Sequence, residues 1–239
     1  METIHFIGIS NGIKPRLILE EVWEHRASFS DKKIYFITDD YDNDGKTENF
    51  CKIHDIKVLK ANGNDVSSIL EIVKMTQPQM LISIGWSWKI PDDFLNLFHF
   101  AINCHGGLLP DYRGNNVYMH NYANLSEYYG TTIHYMNSKF DDGNIILQAR
   151  AKLYLEETPL IIHRRICEMT AQILPESISL VERGYLGEKQ RGIARYFYKI
   201  DRDEMEKIRQ INIESIRKGE EIKISRHKEW KLSEGVTDE

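Results

Sequence analysis

Phe100-Ala101-Ile102-Asn103-Cys104-His105-Gly106-Gly107 is the stretch on which the reading of this 239-residue chain turns. Its first five residues form an apolar, buried-type strand. Strand periodicity then puts Asn103 and His105 on one face at the carboxyl end. Two glycines follow, where the backbone can approach a neighbour closely or take a positive φ. Upstream, apolar runs alternate with amphipathic stretches. Strands are expected at 3–9, 33–38, 57–59 and 80–84. Helices are expected at 14–25, carried by Leu17, Ile18, Val22 and Trp23, and at 65–75, where Asp65 caps Val66, Ile69, Leu70 and Val73. A short helix is expected after Pro91. Such alternation predicts a parallel sheet covered on both faces.

Downstream of Gly107 the pattern changes. A helix is expected at 116–125, strands at 131–137 and 145–155, and a long helix from Pro159 to about Glu182, kinked or broken at Pro175. Gly184, Gly187 and Gly192 mark a boundary. Beyond it come a strand-like aromatic run at 194–200, a charged helix at 201–211 and a hairpin at 221–232. The expected fold is α/β, a mostly parallel Rossmann-like sheet over residues 1–188, with a small C-terminal appendage over 189–239 that serves dimerisation or substrate binding.

Composition narrows the function classes. Mean hydropathy is -0.45 and no apolar run approaches ~18 residues, which excludes a transmembrane helix. Glu2 and His5 interrupt what a secretory signal would need as a basic start and apolar core, so the first residues read as a strand. Cys51, Cys104 and Cys167 show no CxxC spacing, which points to a reducing, cytoplasmic compartment and no zinc site. Net charge is -5, and from Glu182 onward 14 basic residues face 13 acidic ones. Neither part offers the basic surface a nucleic-acid partner requires.

Chemistry concentrates in two places. In the first, Asn103 and His105 stand side by side, an arrangement suited to acyl transfer. The amide can donate to a developing oxyanion, and the imidazole can give or take a proton. In the second, Gly130-Thr131-Thr132-Ile133-His134 precedes Phe140-Asp141-Asp142-Gly143-Asn144. Asp-Asp-Gly is ordinary turn chemistry, but a carboxylate reaching His105 would fix its tautomer and stabilise its charged form.

The order N-x-H-x-x-L-L-P-x-Y-R-G, then G-x-T-x-H, then D-x-G-x-I-L resembles the formyltransferase family that uses N10-formyltetrahydrofolate. The likeness is dense over about 80–150 and extends in layout over 1–190. It implies an enzyme whose catalytic set falls on Asn103, His105 and Asp141, with Thr132 and His134 in support and no metal. Asp141 rather than Asp142 takes the family position because Gly143, the apolar run and Gln148 then align. His105-Gly106-Gly107 and the segment 84–91 resemble the nucleotide-sugar branch. That implies a folate pocket built from Gly85, Trp86, Trp88, Lys89, Ile90 and Asp141. It also implies a nucleotide-diphosphate amino sugar met by Ser10, Asn11, Gly12, Gly106, Gly107, Tyr112 and Arg113. The best-fitting acceptor is a dTDP-4-amino-4,6-dideoxyglucose, used for O-antigen and other surface polysaccharide, and the expected assembly is a homodimer.

Other readings stay open beside these. Trp86 and Trp88 also fit a plain core, 10–12 a simple turn, and Arg113 a surface ion pair. Tyr196, Phe197 and Tyr198 fit either a packed strand or a platform for a nucleobase. Asp40-Tyr41-Asp42-Asn43-Asp44-Gly45 matches half of a calcium loop, but Cys51 stands where its bidentate glutamate belongs. His99, His105, His120 and His134 match no zinc spacing. Glycinamide ribonucleotide formyltransferase is the nearest rival reading. Methionyl-tRNA formyltransferase and a catalytically silent folate- or nucleotide-binding module come next.

Overall fold

The computed structural model describes residues 3–10, 12–25, 27, 30, 32–40, 45–137 and 139–232. In chain order its elements are β1 (Thr3–Ile7), α1 (Ile13–Glu24), β2 (Lys33–Thr38), α2 (Lys46–Ile53), β3 (Lys57–Lys60), α3 (Leu70–Met75), β4 (Met80–Ser83), α4 (Asp92–Leu95) and β5 (Phe100–His105). There follow β6 (Arg113–Gly114), α5 (Val117–Ala123), β7 (Tyr128–Tyr135), β8 (Ile145–Lys152), α6 (Pro159–Glu182), β9 (Ile193–Phe197), α7 (Arg202–Lys218) and β10 (His227–Lys231).

Seven strands form the main sheet in the order β3-β2-β1-β4-β5-β7-β8. The first five run parallel, and β7 and β8 are antiparallel additions. The central strands are apolar on both faces because both faces are covered. Ile4 and Phe6 pack with Ile18 and Val22 of α1 and Cys167, Leu174 and Ile178 of α6. Ile7, one register step over, packs with Tyr35, Leu81, Val73 and Phe94 on the other side. Ile102 and Cys104 of β5 join the first cluster. Alternation therefore turns Asn103 and His105 to the opposite face. The strand order reverses between β1 and β4, the position where open α/β sheets gather ligands.

Three expectations change. α6 runs unbroken through Pro175. A proline inside a helix costs about 3 kcal/mol, but Ile162, Ile166 and Leu174 before it and Ile178 and Val181 after it are buried on one core, and packing outweighs the cost. The 65–75 segment splits into a 3-10 turn at Val66–Ile69, capped by Asp65, and then α3. The stretch 221–232 makes one strand rather than a hairpin. β10 pairs antiparallel with β9, and β9 pairs parallel with β6, so Arg113–Gly114 anchors a second, three-stranded sheet. Among the described residues no helix is long and apolar enough to cross a membrane. Most of the acidic stretch 40–45 lies outside the described residues.

Candidate active site

The carboxyl ends of β1, β4 and β5 open into a cleft of about 360 Å³, the size of a small-molecule site. Asn103 and His105 line it from β5, and Asp141 lines it from the loop between β7 and β8. His105 Nδ1 lies 3.3 Å from Asp141 Oδ1, and Asn103 Nδ2 lies 3.4 Å from the same oxygen. Asp141 Oδ2 accepts the Gly114 amide at 2.9 Å. Asp142 faces away, toward Arg113 Nη1 at 2.7 Å.

Protonation follows from these contacts. His105 Nε2 donates to the Tyr112 carbonyl at 2.7 Å, so that nitrogen carries a hydrogen. Burial pulls the imidazole toward its neutral form. Asp141 and the Tyr112 carbonyl oppose that, and the pKa stays below its ordinary value. For Asp141, burial favours the acid, but His105, His134 and the Gly114 amide outweigh it and hold the carboxyl below the usual carboxylate range. With one hydrogen of the ring given to the Tyr112 carbonyl from Nε2, the other nitrogen, Nδ1, faces Asp141 Oδ1. The gap between them is a place for an incoming proton, and the imidazolium so formed would be paired at once.

His134 Nδ1 donates to the Tyr135 carbonyl at 2.7 Å, which leaves Nε2 as an acceptor for Asn103 Nδ2 at 3.1 Å. That contact turns the amide nitrogen of Asn103 toward the histidine and Asp141. Thr132 stands behind the loop after His105. Its Oγ1 donates to the Gly107 carbonyl at 2.7 Å and accepts the Leu109 amide at 3.1 Å and Gln148 Nε2 at 2.8 Å. Gly107 must lack a side chain, since a Cβ would lie 2.8 Å from His105 Nε2 and 2.6 Å from the Tyr112 carbonyl oxygen.

Gly85, Trp86, Trp88, Lys89 and Ile90 all line the cleft, with the two indoles edge to face at 4.9 Å. Trp86 Nε1 is buried and has no hydrogen-bond partner among the described residues. Gly12 and Gly106 also line it. Four residues assigned to the acceptor sit elsewhere, which is a correction. Ser10 is buried, its amide bonded to Asp39 at 2.8 Å. Gly107 is closed in behind His105. The Tyr112 hydroxyl is bonded to Ser126 at 2.5 Å, and its ring stacks on Phe197. Arg113 is buried, its Nη1 and Nη2 given to Asp142 and Gln190, and it does not line the cleft. Asn11 lies outside the described residues.

The cleft also holds residues that the sequence reading passed over. Lys14, at the start of α1, donates from Nζ to the Cys104 carbonyl. His163 of α6 stacks on Tyr118 at 4.5 Å, and burial pushes its pKa down to about 4. The aromatic run of β9 divides: Tyr196 lines the cleft, while Phe197 packs on Tyr112 and His120. Lys14 lay two residues past a flagged loop; nothing in the helical pattern of α6 marked His163.

Residues 28–178, well over half of the chain, match the family model described as Formyl transferase. A methionyl-tRNA formyltransferase of Alkaliphilus oremlandii is 28% identical over 130 residues, which cover 54% of this chain and 42% of that protein. The chain spans less than half the length of the curated methionyl-tRNA formyltransferases it matches. Among solved structures, glycinamide ribonucleotide transformylase 1 from Symbiobacterium toebii shares the fold at a TM-score of 0.67 and 20% identity, over 77% of this chain and 89% of that one. The N-formyltransferase from Helicobacter canadensis, solved with folinic acid and dTDP-3-aminofucose, does so at a TM-score of 0.60 and 18% identity, over 80% and 68%. By its sequence match, carried on a shared fold, the chain belongs to the formyl transferase family.

Proposed function

We propose that the protein transfers a formyl group from N10-formyltetrahydrofolate to the amine of a nucleotide-linked amino-dideoxy sugar, with a dTDP-4-amino-4,6-dideoxyglucose as the leading acceptor. The observation that carries this reading is the meeting of Asn103, His105 and Asp141 at the cleft end of β5. The folate fits the side of the cleft formed by Trp86, Trp88 and Ile90, an aromatic and apolar lining suited to a pterin ring. The acceptor fits the opposite side, where Gly12, Lys14, His163 and Tyr196 offer a helix N-terminus, a cation and aromatic faces.

In this mechanism the acceptor amine attacks the formyl carbon. The Asn103 amide exchanges its long contact with Asp141 for the substrate and donates to the oxyanion of the tetrahedral intermediate. The amine proton passes, through water, into the gap between His105 Nδ1 and Asp141, and the resulting imidazolium adds its charge to the same intermediate. Collapse breaks the bond to N10 of the folate. That nitrogen takes the proton back, leaving a formamide and tetrahydrofolate. The reading extends to a cytoplasmic homodimer that supplies formylated sugar for surface polysaccharide.

Glycinamide ribonucleotide is the second reading, favoured by the chain's near-complete coverage of transformylases of that substrate. One experiment separates the two. The protein is incubated with 10-formyltetrahydrofolate and a panel of amino-sugar nucleotides, the corresponding free amino sugars and glycinamide ribonucleotide, and products are read by mass spectrometry. Gain of one formyl group on an amino-sugar nucleotide is expected, with little on its free sugar, because remote binding energy positions the amine. Transfer to glycinamide ribonucleotide alone would replace this reading with the second.

A further inference from the structure

The loop that presents Asp141 is gripped by a side-chain network that does not touch the cleft floor. Arg113 is 3% exposed. Its Nη1 donates to Asp142 Oδ1 at 2.7 Å and its Nη2 to Gln190 Oε1 at 2.6 Å. Gln190 in turn donates from Nε2 to the carbonyls of Asp141 and Gly143, each at 2.9 Å. One amide thus ties the residues on both sides of Asp142, while Arg113 holds the Asp142 side chain between them. Trp230 of β10 covers the guanidinium, its ring centroid 5.2 Å away. Asp141 has a φ of +51°, a left-handed backbone region that is uncommon for residues with a side chain, although Asp enters it more readily than most.

We propose that Gln190 and Arg113 are positioning residues for Asp141: they hold the loop in the left-handed turn from which its carboxylate meets His105 Nδ1. Gln190 belongs to the segment leading into β9, and Trp230 to β10. The C-terminal strands are thereby part of the apparatus that aims the carboxylate. The inference rests on His105 and Asp141 being the reacting pair. Four groups act on the His105 charge: Asp141 from its loop, the Tyr112 carbonyl, His134 of β7 and Lys14 of α1. Gln190 is bonded to the backbone of the first of these.

The test follows the His105 ring proton through a pH titration by nuclear magnetic resonance, in wild type, Gln190→Met, Asp142→Leu, Asp142→Asn and Asp141→Asn, alongside formyl-transfer kinetics. Gln190→Met is close to isosteric and removes both carbonyl contacts and the acceptor for Arg113. Its His105 midpoint should move down, in the direction set by Asp141→Asn. Its kcat should fall about 10- to 100-fold while KM for the folate stays within about twofold, the signature of an interaction made in the transition state. Asp142→Asn keeps an acceptor for Arg113 and should behave as wild type; Asp142→Leu should follow Gln190→Met. A wild-type His105 titration in folded Gln190→Met and Asp142→Leu overturns the proposal, even where kcat is lost, since that loss would then be structural. If wild type transfers formyl to no acceptor, the titration still decides, because it needs none.

Discussion

Two loops meet over the end of β5, and they are held by different parts of the chain. Residues 106–112, which follow His105, are bonded from the central sheet: Thr132 of β7 and Gln148 of β8 take up the Gly107 carbonyl and both polar backbone groups of Leu109. Residues 136–143, which carry Asp141, are bonded from the C-terminal layer through Arg113, Gln190 and the Gly114 amide. The imidazole is fixed by strands that fold around it. The carboxylate meets Asn103 and the Gly114 amide directly, and its loop is tied by Gln190, from the segment leading into β9. Damage to the sheet should therefore disturb both partners; damage to the C-terminal layer should disturb the carboxylate through Gln190 and reach the imidazole only indirectly, through Tyr112, which stacks on Phe197.

The largest effects belong to the groups both loops serve. His105→Asn should lower kcat by about 10²–10⁴-fold, the range of a general acid or base, and Asn103→Ala by about 10²–10³-fold, the range of one oxyanion donor. Steady-state rates with intact folding, checked by circular dichroism, decide this. Next, Asp141→Asn should cripple turnover while folate binding, read by fluorescence quenching of the cleft tryptophans, stays near wild type. Asp142→Asn should be mild, and the reverse ranking would exchange the roles of the two loop carboxylates.

A sharper contrast lies within one loop. Gly107→Ala must break the His105 to Tyr112 bond or shift Tyr112, because the new methyl would overlap both. It should lower both Tm and kcat, with about 1–3 kcal/mol of overpacking strain. Gly106→Ala meets only Ile166 at 3.5 Å and should fold normally. Its methyl narrows the cleft, so it should raise KM before it changes Tm. Equal Tm losses in both variants would contradict this account of the loop.

The smallest effect on kcat separates stability from chemistry. Burial holds His5, His120 and His163 down to about 4. Their folded pKa values lie below the ordinary histidine value, so the unfolded chain binds more protons and stability rises with pH. Stability should be complete above about 6.5 and decline as pH falls toward about 4, by up to about 3 kcal/mol for each fully buried histidine. Urea midpoints across that window measure it. His5→Gln, which removes one contributor far from both loops, should flatten the decline without altering kcat at pH 7.5. An unchanged slope would show that His5 is not one of its sources.

The parallel half of the sheet was legible because its strands are apolar on both faces and its helices show clean 3.6-residue periodicity, as in β1, β4 and α1. The meeting of Asn103 with His105 followed from alternation along one strand. Arg113 misled because an arginine on a loop beside a reactive histidine has the chemistry of an anion site. Its partners, Asp142, Gln190 and Trp230, lie 29, 77 and 117 residues away, and no local pattern joins them. The strand expected within 221–232 is there as β10, but its partner was misjudged for the same reason, since β9 lies on the far side of α7. Pro175 reads as a break in any window that cannot weigh the core burying both halves of α6.

The central claim is that His105 and Asp141, held by separate parts of the fold, act as one unit in formyl transfer. The most direct measurement is kcat for His105→Asn, Asp141→Asn and the double variant on the acceptor identified by mass spectrometry. Groups that work through one another lose their effect together, so the double variant should be no slower than His105→Asn alone. A double variant whose loss equals the product of the two single losses would contradict the claim.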